Sequence, residues 1–316
     1  MTTYSVFLLF LSINCVYSSW VTINDYSVTT WNETNADRSE ILTRFQVTNY
    51  PSKYIKSLNN RIDTFTCDFN CENVYFLMQQ GLYEISKFFK FNSKTKQVYQ
   101  TEQIQSFMID HIQFNEKTKK LYSIIHQSTE RKYLLVEIET ETLQVKEQLM
   151  DLSQYGFPMS GSYFNSKTQL FTYHAYDSNQ QATVLITLDL SLKATQRFVQ
   201  SKLFDFNVYG FGFIQSNNGL VALDQYNIVT PLVVIKINEK TGQPIGNATI
   251  TPDGQRIAQG YKPFSVDYEN QFFYVLSSSE DLSKTFISKI NIQTMEVNIT
   301  AVQRKFPNDY LFVKIN

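Results

Sequence analysis

The feature that most constrains the fold of this 316-residue chain is an internal repeat with a period close to 50 residues. The first repeated motif is an apolar run, a polar turn and a second run that alternates apolar and polar residues. Its copies begin at Arg44, Lys90, Glu137, Thr187, Lys236 and Lys289. Successive copies are 46, 47, 50, 49 and 53 residues apart. Such regularity predicts a fold made of six similar units.

A second motif lies between the copies of the first and has its own polar turn. Its anchoring residues are Phe69, Phe114, Phe164, Ile214 and Tyr268, which are 45, 50, 50 and 54 residues apart. An alternating or apolar run on each side of a short polar turn is the sequence signature of a β-hairpin. Two hairpins in every unit amount to four strands.

Four strands in about 50 residues is the size of one β-propeller blade, so we predict an all-β, six-bladed β-propeller with four antiparallel strands per blade. Blades are expected to begin near Asp63, Ser106, Gln154, Phe204 and Arg256. The second motif has five copies and the first has six. The segment from Tyr310 is apolar, and the segment from Trp20 begins where a second strand would begin. We therefore expect a closing blade that is shared between the N- and C-terminal segments, which would remove exposed sheet edges.

The repeat resembles the six-bladed propellers, which include the NHL-repeat proteins, the YWTD modules of lipoprotein receptors and the gluconolactonase-like enzymes. The local likeness is an aromatic residue and polar turn followed by Leu-Tyr, as in Phe114–Tyr122. No Tyr-Trp-Thr-Asp tetrad occurs, so the resemblance concerns the architecture of residues 20–316 and no specific family. It implies either a binding scaffold or a lactonase that holds a metal ion with a Glu, an Asn and an Asp from different blades.

The N-terminus predicts export. An apolar run begins at Val6, and Ser18 and Ser19 offer a cleavage site, so we predict a signal peptide at 1–19 and a single propeller domain at 20–316. The acceptor triplets at Asn32, Asn247 and Asn298 predict N-glycosylation. We expect a secreted, extracellular glycoprotein.

Cysteine usage is consistent with an oxidising compartment. Cys15 lies in the predicted signal peptide, which leaves Cys67 and Cys71 as a pair. We predict a disulfide across this short turn; the alternative is two buried thiols.

Composition excludes some classes of partner. The chain has 28 basic and 29 acidic residues with no basic run, which argues against nucleic acid. No later segment is apolar enough to span a membrane. We expect a monomer whose partner is an extracellular protein or a glycan.

Residues that could perform chemistry are few. Asp63, Asp110, Asp205 and Asp309 fall on or before the expected inner strands, where a ring of carboxylates could hold calcium. The alternative, which we favour, is solvated carboxylates that end strands. At the aligned inner positions stand Phe65, Asp110, Ser160, Gly210 and Phe264, and Asp110 is the single carboxylate among them. An Asp110–His111 acid/base pair is disfavoured because neighbours in a strand point to opposite faces. We predict no catalytic residue and no cofactor.

Aromatic residues cluster where inner strands begin and have two interpretations. The set is Tyr155, Phe157, Tyr209, Phe211, Phe213, Tyr261 and Phe264. They either fill the core between blades, which we favour, or line a binding face. The expected function is a non-catalytic extracellular binding module; the alternative is a metal-dependent propeller hydrolase that acts on a lactone or an ester.

Overall fold

A computed structural model describes most of the chain. The described residues are 19–23, 27–32, 35–44, 65–68, 70–80, 85–101, 108–127, 130–192, 198–204, 212–216, 219–224, 232–238, 241–252, 257, 264–267, 270–302 and 311–315. Residues 1–18, most of the predicted signal peptide, lie outside this set, so export stays a prediction.

The fold is an all-β propeller with four antiparallel strands per blade. Within the described residues, five blades are each built from four strands that are consecutive in the chain. Blade I is β4 (Phe65–Cys67), β5 (Asn73–Gln80), β6 (Ile85–Asn92) and β7 (Val98–Gln100). Blade II is β8 (Met108–Asn115), β9 (Lys120–Gln127), β10 (Lys132–Ile138) and β11 (Val145–Asp151). Blade III is β12 (Phe157–Asn165), β13 (Leu170–Asp177), β14 (Ala182–Asp189) and β15 (Phe198–Phe204).

The remaining blades of this kind follow in order. Blade IV is β16 (Gly212–Ser216), β17 (Gly219–Asp224), β18 (Leu232–Ile237) and β19 (Pro244–Ile250). Blade V is β20 (Phe264–Asp267), β21 (Phe272–Ser278), β22 (Thr285–Asn291) and β23 (Val297–Val302). Blades were expected to begin near Asp63, Ser106, Gln154, Phe204 and Arg256; the described first strands begin two to eight residues later, at Phe65, Met108, Phe157, Gly212 and Phe264. Phe204 is the last residue of β15, so the expected start of blade IV is wrong.

A further four-stranded sheet, the composite sheet, joins the two ends of the chain. It contains β1 (Ser19–Ile23), β2 (Ser27–Asn32), β3 (Asn35–Arg44) and β24 (Leu311–Ile315), in the order β24-β1-β2-β3. β24 pairs antiparallel with β1 from Ser19↔Ile315 to Ile23↔Leu311. The structure confirms a propeller of four-stranded blades, but five blades rather than six consist of consecutive strands, and the composite sheet shares its strands between the two ends of the chain.

The blades pack face to face through apolar cores. The first strands of successive blades lie beside one another, from β4 to β20, and β24 lies beside β20. Between blades IV and V, Val221, Val234, Phe273 and Ile290 are fully buried. Strands in the middle of a blade, such as β9 and β10, are buried on both faces, whereas the outer strand β19 buries alternate side chains, Ala248 and Ile250.

One type of hairpin turn recurs and explains the scarcity of glycine. In the turn Asn115–Lys119, the Asn115 Oδ1 atom accepts hydrogen bonds from the N–H groups of Lys117 and Thr118, at 3.0 and 3.3 Å. The Lys119 N–H group donates to the Asn115 carbonyl oxygen at 2.8 Å. Lys119 adopts a left-handed backbone with φ of 56°. Equivalent turns with an asparagine cap are Asn92–Lys96, Asn165–Gln169 and Asn291–Met295.

Two local predictions agree with the structure. Cys67 and Cys71 form a disulfide across the first turn of blade I. The stretch that begins at Thr142, which could be mistaken for a helix, contains the outer strand β11 and then one turn of 3-10 helix at Ser153–Tyr155. In the described part of the chain there is no helix with the length and apolar character needed to cross a membrane.

Candidate binding face

The middle of the propeller was the first place predicted to hold function, and an aromatic contact lies there. Phe65 of blade I and Phe264 of blade V occupy equivalent positions in the repeat, and their ring centroids lie 5.7 Å apart. Phe264 also stacks on Phe273 at 5.9 Å. The alignment of inner positions made from the repeat therefore brings these two side chains together. At the height of the Phe65–Phe264 contact, the inner strands of blades I and V place apolar rings toward the middle of the propeller.

The predicted metal ligands lie mostly outside the described residues. This holds for Asp63, Asp205 and Asp309, and for the side chain of Asp110. The backbone of Asp110 belongs to β8, where the pairing with β9 shifts by one residue between Ile109 and His111. Among the side chains that the structure does describe, no group of three or more His, Cys, Asp or Glu could hold a metal ion. A calcium site built from the four aspartates stays a prediction.

His111, the proposed partner of Asp110, is a buried side chain between blades II and III. It is fully buried, with its ring 6.4 Å from that of Tyr173. Burial is the main cause, and the nearby His174 the second, of a pKa of the imidazole lowered to about 3, while a backbone hydrogen bond with Met159 acts to raise it. His111 is therefore neutral at pH 7, and its place in the interior supports a structural role.

A second location carries one exposed aromatic side chain, Phe157, beside two that are partly buried, His126 and Tyr133. We name it the connection face: it contains the described residues at the ends of the second and third strands of blade II and the connection from blade II to blade III, residues 126–127, 130–133 and 151–157. The rings of His126 and Tyr133 stack at 4.6 Å with an interplanar angle of 17°. Phe157 meets Tyr133 edge-on at 5.4 Å, and 53 % of its surface is exposed. These three residues are the aromatic cluster.

The backbone of the connection holds the cluster in place. The Leu152 N–H group donates to the Tyr133 carbonyl oxygen at 2.7 Å, and the Tyr133 N–H group donates to Ser153 Oγ at 3.0 Å. These two bonds tie the incoming connection to the start of β10. Since His126 and Tyr133 are paired residues of β9 and β10, their rings share one face of the blade.

Gly156 directs the chain into β12 and so positions Phe157. Its φ of 108° lies in a region that favours glycine, and a Cβ atom there would lie 2.6 Å from the Tyr176 carbonyl oxygen. Phe157 follows and pairs with Tyr176 in the ladder of blade III. A larger residue at position 156 would move the chain away from β13 and displace Phe157.

Charges surround the cluster but do not enter it. Lys132 Nζ and Glu130 form an exposed ion pair at 2.8 Å. Partial burial lowers the pKa of His126, so its ring is neutral at pH 7. Hydrogen bonds from Ser153 lower the pKa of Asp151, which keeps that carboxyl ionised. A neutral aromatic centre with a charged rim is the usual arrangement of a protein-binding surface.

Of the three residues of the aromatic cluster, Phe157 was singled out from the sequence. Phe157 was expected in the core and is exposed, so the core interpretation is wrong for it, whereas Phe264 does pack against the core between blades IV and V. His126 and Tyr133 were not connected with it. The available signal was their position on both sides of the polar segment 127–132, which a hairpin makes into neighbours. Tyr209, Phe211, Tyr261 and the side chain of Phe213 lie outside the described residues.

The comparisons with known proteins agree on the fold. No protein-family model matches the chain. No curated protein sequence matches it. A chain of the nidogen/laminin complex is 7 % identical with a TM-score of 0.57, covering 95 % of this chain and 98 % of the other. The periplasmic gluconolactonase of Pseudomonas aeruginosa is 10 % identical with a TM-score of 0.50, covering 95 % and 99 %. The chain is therefore similar in fold to β-propellers that include a component of a protein complex and an enzyme.

Proposed function

We propose that this protein is a secreted, non-catalytic binding module that contacts an extracellular protein through the connection face. The observation that carries the proposal is the aromatic cluster, in which a half-exposed Phe157 meets Tyr133, whose ring stacks on His126. Aromatic residues are enriched at the centres of protein interfaces and depleted on ordinary surfaces. One structural neighbour is a chain of the nidogen/laminin complex, and at 7 % identity this likeness, like that to the gluconolactonase, shows the fold alone.

We further infer that the composite sheet serves as a sixth blade and closes the ring. β24 lies beside β20 of blade V, and Trp20 of β1 is fully buried against blade V. A closed ring gives the connection face a fixed shape, and a rigid surface binds with a smaller loss of conformational entropy.

The alternative function is a metal-dependent hydrolase of lactones or esters. The gluconolactonase among the structural neighbours is a lactonase by its name, and at 10 % identity its likeness to this chain shows the fold alone. Such an enzyme would need carboxylates that converge at the middle of the propeller, with Asp110 as their first member.

One paired experiment separates the two functions. The purified chain and its Phe157→Ser and Tyr99→Ser variants are tested by surface plasmon resonance against purified extracellular proteins, laminin included. Tyr99 is a matched control because it is an exposed aromatic residue, 50 % accessible, on the outer strand of blade I. We expect saturable binding that Phe157→Ser abolishes and Tyr99→Ser retains.

The same preparations are assayed with a panel of lactones and esters in the presence of calcium. Turnover that disappears in Asp110→Ala would establish the hydrolase instead. Binding that survives Phe157→Ser would show that the connection face is not the contact surface.

A further inference from the structure

Six described strands form the outer edges of the sheets, and an outer edge is a hazard. An outermost strand pairs on one side only, so its other side presents backbone N–H and C=O groups to any other exposed strand. The outer strands are β3, β7, β11, β15, β19 and β23. Proteins usually protect such edges with charged residues or by keeping the strand very short.

Four of the six outer strands have one of these protections. β3 contains Asp37, Arg38 and Glu40, β11 contains Lys146 and Glu147, and β15 contains Lys202. β7 has only three residues. In contrast, β19 (PIGNATI) and β23 (VNITAV) have seven and six residues and contain no Lys, Arg, Asp or Glu; β19 has a proline, Pro244, at its first position only, and β23 has none. These two uncharged strands are the outer strands that carry the acceptor triplets of Asn247 and Asn298.

The acceptor residues point away from the core. In β19, Asn247 and Thr249 are exposed, while Ala248 and Ile250 are buried in the core between blades IV and V. An acceptor triplet needs its Asn and its Thr two residues apart, and in a strand that spacing puts both side chains on one face.

β23 repeats this arrangement on the next blade. Asn298 and Thr300 are exposed, and Val297 and Ile299 pack against the same core. β19 and β23 also lie close to each other. A glycan on either strand would therefore lie on the rim of the propeller beside an unprotected edge.

We propose that Asn247 and Asn298 carry N-linked glycans, and that these glycans protect the edges of β19 and β23 in place of charged residues. A glycan is bulky and strongly hydrated, so it blocks the approach of a second strand without entering the fold. The inference rests on the export proposed above. It is independent of the aromatic cluster, which lies on blades II and III.

The test uses secretion directed by a heterologous signal peptide, so a failure of the native leader cannot be mistaken for a failure of the sites. Thr249→Ala and Thr300→Ala remove the acceptor triplets and keep both asparagines, while Thr249→Ser and Thr300→Ser preserve the triplets. Peptide mass spectrometry measures occupancy, and analytical ultracentrifugation over a range of concentrations measures self-association. We expect both sites to be occupied in the wild type and in the Ser variants, and unoccupied in the Ala variants.

The double Ala variant should shift from monomer to larger species with an unchanged melting temperature. Asn247→Lys together with Asn298→Lys, which replaces each glycan by a charge, should restore the monomer. Unmodified asparagines in the secreted wild-type protein would overturn the sites. The protective role would be overturned if loss of the glycans left self-association unchanged. It would also be overturned if the Lys variant failed to restore the monomer.

Discussion

Trp20 and Tyr274 meet edge-on, with ring centroids 4.7 Å apart and an interplanar angle of 77°. Trp20 belongs to the composite sheet and Tyr274 to blade V, and both rings are buried. This contact joins the first described strand of the chain to the last blade before the C-terminal strand.

Replacing Trp20 should therefore weaken the whole fold. Trp20→Ala leaves a cavity at the boundary between the composite sheet and blade V, and we expect a loss of about 3–5 kcal/mol in the free energy of unfolding. Urea denaturation followed by circular dichroism measures it. Tyr99→Ala, at an exposed aromatic residue, is the control and should change stability by less than about 0.5 kcal/mol.

Deleting 311–316 should have a similar effect, because it removes β24 and exposes the edge of β1. We expect a clear fall in the melting temperature, whereas a short terminal tail normally contributes little. An unchanged melting temperature would contradict the closing role of the composite sheet.

Gly156→Ala should destabilise the protein by roughly 1–3 kcal/mol, because the positive φ is strained for alanine and the new Cβ meets a backbone oxygen. Gly246→Ala is the matched control, since its Cβ would lie 3.6 Å from Met295 Cγ, an ordinary contact. Thermal unfolding of both variants measures the difference. Equal melting temperatures for the two would show that the connection before Phe157 adapts.

The recurring turn predicts opposite effects for two glycine substitutions within five residues. Lys119 has φ of 56°, so Lys119→Gly removes about 1–2 kcal/mol of strain from the left-handed backbone of the folded state. The same substitution increases the conformational entropy of the unfolded chain, which lowers the free energy of unfolding by about 0.4–1 kcal/mol. We expect a net gain of about 0.5–1 kcal/mol, since the exposed ion pair with Glu116 contributes little. Lys117→Gly in the same turn lacks that relief and should lower stability. Chemical denaturation of both variants checks the sign.

Stability should fall in acid partly because of His111. Its pKa is about 3 in the folded protein and near 6.5 in the unfolded chain, so the unfolded chain binds more protons between these values. The contribution of neutral His111 to the free energy of unfolding is complete above pH 6.5. It is lost as the pH falls toward about 3, at up to about 1.4 kcal/mol per pH unit. Urea midpoints measured for the wild type and His111→Gln from neutral to acidic pH should show a smaller slope for the variant. Identical slopes would mean that His111 does not control this dependence.

Periodicity was enough to predict blades of four antiparallel strands, because each hairpin is local in sequence, but five blades rather than six are made of consecutive strands. It also aligned Phe65 with Phe264 before any contact between them was known. The connection face was harder to predict, since it depends on where the segment between β11 and β12 folds back. Exposure of Phe157 follows from Gly156 and from the bonds of Leu152 and Ser153 to Tyr133, and no pattern in the sequence marks those partners.

The caps of the turns were missed for a different reason. The sequence contains Asn-Ser-Lys-Thr twice and Asn-Glu-Lys-Thr twice, and as a pattern these indicate only a polar turn. The role of the asparagine became visible only with the hydrogen bonds of Asn115 and Asn165 and the left-handed residue after each threonine.

The pairing of β1 with β24 also sets an order of events during synthesis. Each of the five consecutive blades can form once its own stretch of chain has left the ribosome, because its partners are near neighbours in sequence. β1 is made early, yet its inner partner is residues 311–315. The edge of β1 therefore stays open until blades I to V have been made, and a chaperone that recognises this propeller during translation would find its exposed backbone there.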